Sequence, residues 1–185
     1  MKKILIAAMV FAAAALVGCE QYLTEEPQDK FADGDAFWKG EEALRLETNY
    51  FYSSFSSYGV WASSYQEARR ANLIMARMAN MELSDEARKH YEGFCRYYRA
   101  IQHFDVVRAY GDCVWQGHEV DMNDEAWQAQ ERTDRAEIMR KVCEDLKFAG
   151  ENCRDYKDGR SFHKYVAYVM LSRAALFEGT WQKYH

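Results

Sequence analysis

Apolar residues recur at steps of three and four along most of this chain, the period of a helix that buries one side. The spacing predicts five long helices. The first spans Asp35 to Ser57, with Phe37, Leu44, Phe51, Tyr52 and Phe55 on its apolar side, and the second spans Trp61 to Met81 around Ala71, Ile74, Met75 and Met78. Ser84 is the expected N-cap of the third, with Asp85 and Glu86 suited to its positive first turn, and Gly111 is placed to end it after Tyr110 in a left-handed cap. Its residues Tyr91, Phe94, Tyr97, Tyr98, Ile101, Phe104 and Val107 cover so much of the circumference that this helix is expected at the centre of the fold. A polar stretch, Asp112 to Arg132, follows, with Trp115, His118 and Trp127 expected exposed. The fourth helix starts near Thr133 or Asp134, where Asp134 and Glu137 have capping-box spacing, and carries the stripe Ile138, Met139, Val142, Cys143, Leu146 and Ala149. After a turn at Asp155–Gly159 the fifth runs from Ser161 to Phe177, with Ala167, Ser172, Ala174 and Ala175 small enough for close helix approach. Glu178-Gly179-Thr180-Trp181 reads as its C-cap.

No run alternates with the period of a strand, and proline is absent after Pro27. The fold class is therefore all-α. The fourth and fifth helices look like one hairpin of the tetratricopeptide type, without a repeat regular enough to count.

The N-terminus follows different rules. Lys2 and Lys3 precede fourteen apolar residues, Ile4 to Val17, and then Gly18-Cys19. A run of that length suits a signal peptide and falls short of the ~20 residues that cross a bilayer. Leu16-Val17-Gly18-Cys19 is a lipobox, so residues 1–18 are expected to be removed and Cys19 to carry the lipid anchor. Residues 19–33 are acidic and polar, a flexible tether, and 34–185 form the helical domain.

Without Lys2 and Lys3 the remainder carries 22 basic against 29 acidic residues, a net of −7, which argues against nucleic-acid binding. The 13 Tyr, 10 Phe and 5 Trp suit tightly packed helix interfaces and also a carbohydrate- or protein-contacting surface. Cys95, Cys113, Cys143 and Cys153 match no zinc spacing and read as free, partly buried thiols. His90, His103, His118, His163 and His185 are scattered, and no nucleophile elbow, P-loop or dinucleotide fingerprint is present. No catalytic or metal site and no cofactor is expected. Glu25-Glu26, Glu41-Glu42 and Asp85-Glu86 read as solvated charges. Arg96, Arg99 and Arg108 project from an apolar helix, and interhelix ion pairs are the reading preferred to ligand contacts. Tyr58 and Trp61 are candidates for a sugar-stacking platform, with packing at the start of the second helix preferred.

Three segments together resemble the RagB/SusD-like family of nutrient-uptake outer-membrane lipoproteins. They are Tyr65-Gln66-Glu67-Ala68-Arg69-Arg70-Ala71-Asn72-Leu73, the aromatic stretch from Arg96 through Arg99 to Tyr110-Gly111-Asp112, and Gly159-Arg160-Ser161 continuing through Ser172-Arg173-Ala174 to Trp181. Glu25-Glu26-Pro27 and Phe37-Trp38-Lys39 also fit. The resemblance implies a surface-exposed, lipid-anchored helical protein that sits on a TonB-dependent SusC-like transporter, captures glycans or other nutrients, and catalyses nothing. The rival is a helical interaction scaffold facing the periplasm that binds no glycan. Family members continue for several hundred residues beyond the point matching His185 and carry a longer segment where this chain has Ser56 to Ser64. The chain is thus expected to be a truncated or fragmentary member. It also lacks the family's proline after Gly111-Asp112.

Overall fold

A computed structural model describes residues 37–52, 60–121 and 123–185. Six α-helices are described: α1 (Gly40–Asn49), α2 (Val60–Met78), α3 (Asp85–Tyr110), a short α4 (Glu125–Gln128), α5 (Arg135–Asn152) and α6 (Lys164–Tyr184). A 3-10 turn, Tyr50–Tyr52, extends α1. The described residues contain no strand beyond one isolated antiparallel bridge, Cys113 to Thr133, which closes the loop between α3 and α5. The long helices stack in order: α2 on α3, α3 on α5, and α5 on α6. This is the tetratricopeptide-like, all-α arrangement expected.

The centre is α3. Ser84 Oγ accepts from the Ala87 N–H at 3.2 Å, and Asp85 and Glu86 lie in the first turn. At the far end Gly111 has φ 77° and ψ −121° and donates to the Val107 carbonyl at 2.9 Å. That ψ lies outside the left-handed helical region expected, though the positive φ still favours glycine. Phe94 and Tyr98 anchor an aromatic layer: Phe51 stacks on Tyr98 at 4.2 Å, and Phe162 stacks on Phe94 at 4.4 Å. Each buried ring of this kind stabilises the fold by roughly 1.5–3 kcal/mol. Two glycines set the helix spacing. A Cβ on Gly93 would lie 3.3 Å from the Ala149 backbone and 2.6 Å from Cys153 Sγ. One on Gly150 would lie 2.6 Å from the Tyr168 ring.

The expected elements need four corrections. Helix 1 begins at Gly40, because Lys39 is extended and Gly40 has φ 74°, while the expected bounds Asp35 and Ser57 lie outside the described residues. Helix 2 ends at Met78, and Ala79 to Met81 form a turn capped by Arg88, which donates to the Met78 and Met81 carbonyls. The fifth long helix starts at Lys164, since Asp158 holds the Arg160 and Ser161 N–H groups and the Ser161 hydroxyl in a turn. It then runs through Gly179 to Tyr184, with no cap at Glu178–Trp181. An exposed helical glycine costs about 1 kcal/mol. Two contacts offset it: the Glu178 carboxylate pairs with Arg135 at 2.8 Å, and the Trp181 ring lies 4.2 Å beneath the same guanidinium. Asp134 caps α5 through the Ala136 N–H at 2.8 Å, while Glu137 turns outward to Arg140 and Lys141.

Of the expected core, Leu44, Phe51, Ala71, Ile74, Met78, Phe94 and the α5 stripe are buried, but Tyr52 is 45% exposed and Met75, Ile101 and Cys143 are half-buried. The four described cysteines are free thiols. No helix among the described residues is long and apolar enough to cross a membrane. The signal peptide at 1–18, the tether at 19–33, Cys19, Phe55 and Tyr58 lie outside the described residues.

Candidate functional site

Four of the motif residues, Tyr65, Asn72, Arg99 and His103, converge with Asp145 on one buried polar clamp. From α3, Arg99 donates to both oxygens of Asp145 on α5, at 2.8 and 2.9 Å, in a bidentate fork. Its third nitrogen donates to Asn72 Oδ1 at 2.9 Å and to the Gly117 carbonyl at 2.6 Å. Asn72, from the arginine-arginine-alanine-asparagine segment of α2, turns its amide to the Gln116 and His118 carbonyls, both at 2.9 Å. The Tyr65 hydroxyl donates to the Val114 carbonyl at 2.8 Å and accepts from the Val114 N–H at 2.9 Å. His103 completes the set. Its Nδ1 donates to the Arg99 carbonyl at 2.9 Å and its Nε2 accepts from the Gln116 N–H at 3.0 Å.

Four side chains from two helices thus hold the backbone of residues 114–118, and Asp145 from a third helix locks the central guanidinium. The protonation states follow from this geometry. His103 must be the neutral Nδ1–H tautomer, and burial holds its pKa down at about 4. Burial likewise holds His90 at about 4, and its Nδ1 accepts from the Arg154 N–H at 3.2 Å. Burial pushes the Asp145 carboxyl up from its ordinary range, and the Arg99 charge opposes that push. Removing one member of such a pair leaves an uncompensated buried charge, a cost of about 3–5 kcal/mol.

The three arginines of α3 therefore have three fates. Arg99 is the buried clamp. Arg96 is half-exposed, bonded to Glu92 at 2.9 Å, 3.6 Å from Asp145 and stacked over Phe148 at 4.0 Å. Arg108 is exposed and pairs with Asp105 at 3.0 Å. The expected interhelix ion pairs are present for Arg99 and Arg96, both to Asp145, whereas Arg108 pairs only within α3. Arg70 pairs with Glu47 and lies 3.5 Å over the Tyr50 ring, while Arg69 is exposed. The terminal Tyr110-Gly111-Asp112 of the motif also divides its work. Gly111 ends α3, and Asp112 Oδ1 accepts from the Arg135 N–H at 2.9 Å, capping α5.

The clamp ties down the loop beside a surface at the start of α2. Trp61 sets its ring 5.2 Å from Tyr65 and 5.3 Å from Tyr110, and the Arg132 guanidinium lies 5.5 Å over it. Tyr110 is 51% exposed. Trp115 is half-buried, packed 4.3 Å from His103, and a Cβ on Gly117 would come within 2.6 Å of its indole nitrogen. Trp115 is thus a wall of the clamp and not the free ring expected, whereas His118 and Trp127 remain at or near the surface. A ring face with a neighbouring cation suits a polyol, yet few convergent polar groups accompany it. No group of three His, Cys, Asp or Glu among the described residues could hold a metal ion.

A helical stack of tetratricopeptide type, with a loop clamped by an asparagine–arginine–aspartate relay, defines the class. The chain belongs to the SusD-like family: residues 1–176 match SusD-like_3, described as starch-binding and associating with the outer membrane. Solved structures share the fold. A SusD-like protein from Bacteroides fragilis matches with a TM-score of 0.73 at 20% identity, over 85% of this chain and 39% of its own. A SusD-like carbohydrate-binding protein from the same organism matches at 0.59 and 17% identity, over 66% and 24%. A laminarin-binding SusD-like protein matches at 0.55 and 17% identity, over 66% and 27%. The chain therefore spans less than half the length of these structures. No curated protein matches it by sequence.

Proposed function

We propose that this chain is the anchored helical scaffold of an outer-membrane glycan-capture protein, working with a TonB-dependent SusC-like transporter and catalysing no reaction. In this reading residues 1–18 are removed, Cys19 carries the lipid, residues 19–33 are the tether and residues 34–185 the working domain. The observation that carries it is the family match over residues 1–176, a span that includes the clamp of Tyr65, Asn72, Arg99, His103 and Asp145. The clamp supports the assignment because it makes the loop beside Trp61, Tyr110 and Arg132 rigid, as a binding surface requires. The same surface offers only a few polar groups, so saccharide affinity of this chain by itself is expected to be weak.

The test has two parts. In a cell that also produces the cognate transporter, tagged chain should co-purify with it, and protease added to intact cells should clip the chain. A periplasm-facing scaffold would be protected. Cys19→Ala should release the chain from the membrane fraction. Full retention of the Cys19→Ala variant on membranes would sink the anchored reading. Calorimetry against oligosaccharides should show weak or no heat; tight saturable binding lost in Trp61→Ala would make that ring a true sugar platform.

A further inference from the structure

Arg154, the residue after the α5 cap, ties three other helical elements together. Its Nε donates to Glu86 of α3 at 3.1 Å. Its Nη1 donates to Glu41 of α1, and to the Tyr156 hydroxyl at 3.0 Å. Its backbone N–H donates to His90 Nδ1 of α3 at 3.2 Å, and its carbonyl accepts from the N–H of Lys164, the first residue of α6, at 3.1 Å.

Helix α1 depends on this junction for its first turn. Its N-cap, Lys39, makes no side-chain cap bond, and the chain enters the helix through Gly40 at φ 74°. Glu41 in that turn is held by Arg154 and accepts from the Tyr91 hydroxyl at 3.5 Å. The far end of α1 has fastenings of its own: Glu47 pairs with Arg70, and Phe51 stacks on Tyr98 at 4.2 Å. A turn with no cap of its own and a glycine at its entry opens locally, below the cost of unfolding the whole chain.

His90 lies under the junction. It is 4% exposed, with its ring edge-to-face to Tyr91 at 4.9 Å and to Tyr156 at 5.5 Å. The titratable groups that face it are Glu41 from α1, Glu86 and Tyr91 from α3 itself, and Cys153, Arg154 and Tyr156 from the end of α5 and the turn beyond. With Nδ1 accepting, the ring is neutral and carries its proton on Nε2. A second proton must enter at Nδ1. The new N–H would then point at the Arg154 N–H, donor against donor, with the imidazolium beside the guanidinium. Burial, and then the Arg154 charge, hold the His90 pKa down at about 4, while Glu41 and Glu86 pull the other way without prevailing. The bond from Arg154 keeps the Glu41 carboxyl below its ordinary range, so Glu41 is still charged when the ring is challenged by acid.

We propose that His90 and Arg154 form an acid-released latch on α1: a proton on His90 Nδ1 expels Arg154, Glu41 loses its partner, and the first turn of α1 opens about Gly40 while α3, α5 and the Arg99 clamp stay packed. In the anchored reading, α1 is the described helix nearest the tether in sequence.

Hydrogen–deuterium exchange of the full chain at pH 7 and pH 5 tests this, read as protection factors for one peptide within α1 and one within α5. The α1 peptide should be the less protected at both values. The open turn binds its proton near 6.5 and the closed one near 4, so α1 protection should fall at least tenfold between pH 7 and pH 5. His90→Asn keeps an acceptor near the Nδ1 position and takes no proton, so the α1 response should vanish there. It should persist in His103→Gln, whose ring belongs to the clamp. Arg154→Gln tests the latch from its outer side and should lower α1 protection about threefold or more at pH 7. The proposal is overturned by α1 exchanging in step with α5 in every sample, by a pH response that survives in His90→Asn, or by unchanged α1 protection in Arg154→Gln.

Discussion

Helices α3 and α6 are both long and both rich in aromatic and aliphatic residues, yet they end in opposite environments. Of the 26 residues of α3, 14 are buried, among them Arg99, His90 and His103. Of the 21 residues of α6, only Ala167 and Ala174 are buried, while Tyr165, Val169 and Leu176 face solvent. Side-chain polarity does not explain the difference. Neighbours do: α3 is flanked by α1, α2 and α5, whereas α6 packs on α5. A polar group can stay inside when every donor and acceptor it carries is met, and those exposed apolar groups of α6 face none of the other described helices. The contrast predicts where this chain will be sensitive and where it will be silent.

The largest effect belongs to the clamp. Asp145→Ala should lower unfolding stability by about 3–5 kcal/mol, because Arg99 is left buried with its best partner removed. The comparison residue is Arg108, exposed and paired only within its own helix; Arg108→Ala should stay within about 0.5 kcal/mol. Urea denaturation of both variants checks this. Equal losses would mean that the burial of α3 does not set the energetics.

The next effect is a pH dependence confined to the α3 side. His90 and His103 have folded pKa values depressed from 6.5 to about 4 by burial. Between those limits the unfolded chain binds more protons, so their stability contribution is complete above pH 6.5 and is lost as pH falls toward 4. From pH 7 to 5 each ring should account for a loss of about 2 kcal/mol. His103→Gln should remove its share of that slope. A flat profile between pH 7 and 5 would show that the rings are not held neutral.

A smaller effect tests the α5–α6 seam. A methyl on Gly150 must displace the Tyr168 ring, which lies 2.6 Å from the added atom. Tyr168 is 41% exposed and can swing outward, so Gly150→Ala should cost about 1 kcal/mol, the low end for overpacking. Thermal unfolding measures it, and a loss as large as that of Asp145→Ala would mean the ring is locked.

How much of this was legible in the sequence depends on how local the cause is. The caps at Ser84 and Asp134, the α5 stripe and the central place of α3 follow from spacing within one helix. The membership followed from the motif segments. What escaped was long-range. Arg96, Arg99 and Arg108 are the same residue type on one helix, and only the position of Asp145 on another helix tells them apart. A signal existed: Asp145 sits at a core step between Val142 and Ala149, and a charge there asks for a buried partner. Similarly, Glu178-Gly179 reads as a helix end until Arg135, distant in sequence, holds that turn in place.

The smallest expected effect is the sharpest test of the contrast. Leu176→Ala removes three carbons from a side chain already 73% exposed. Almost no transfer free energy is lost when solvated atoms are deleted, and no cavity forms, so the stability change should stay within about 0.5 kcal/mol. Phe94, a ring 3% exposed in the middle of α3, should cost about 3–5 kcal/mol on truncation to alanine. Urea midpoints of the two variants measure the difference. A Leu176→Ala variant that loses as much stability as Phe94→Ala would place Leu176 in a buried layer and dissolve the difference between the two helices.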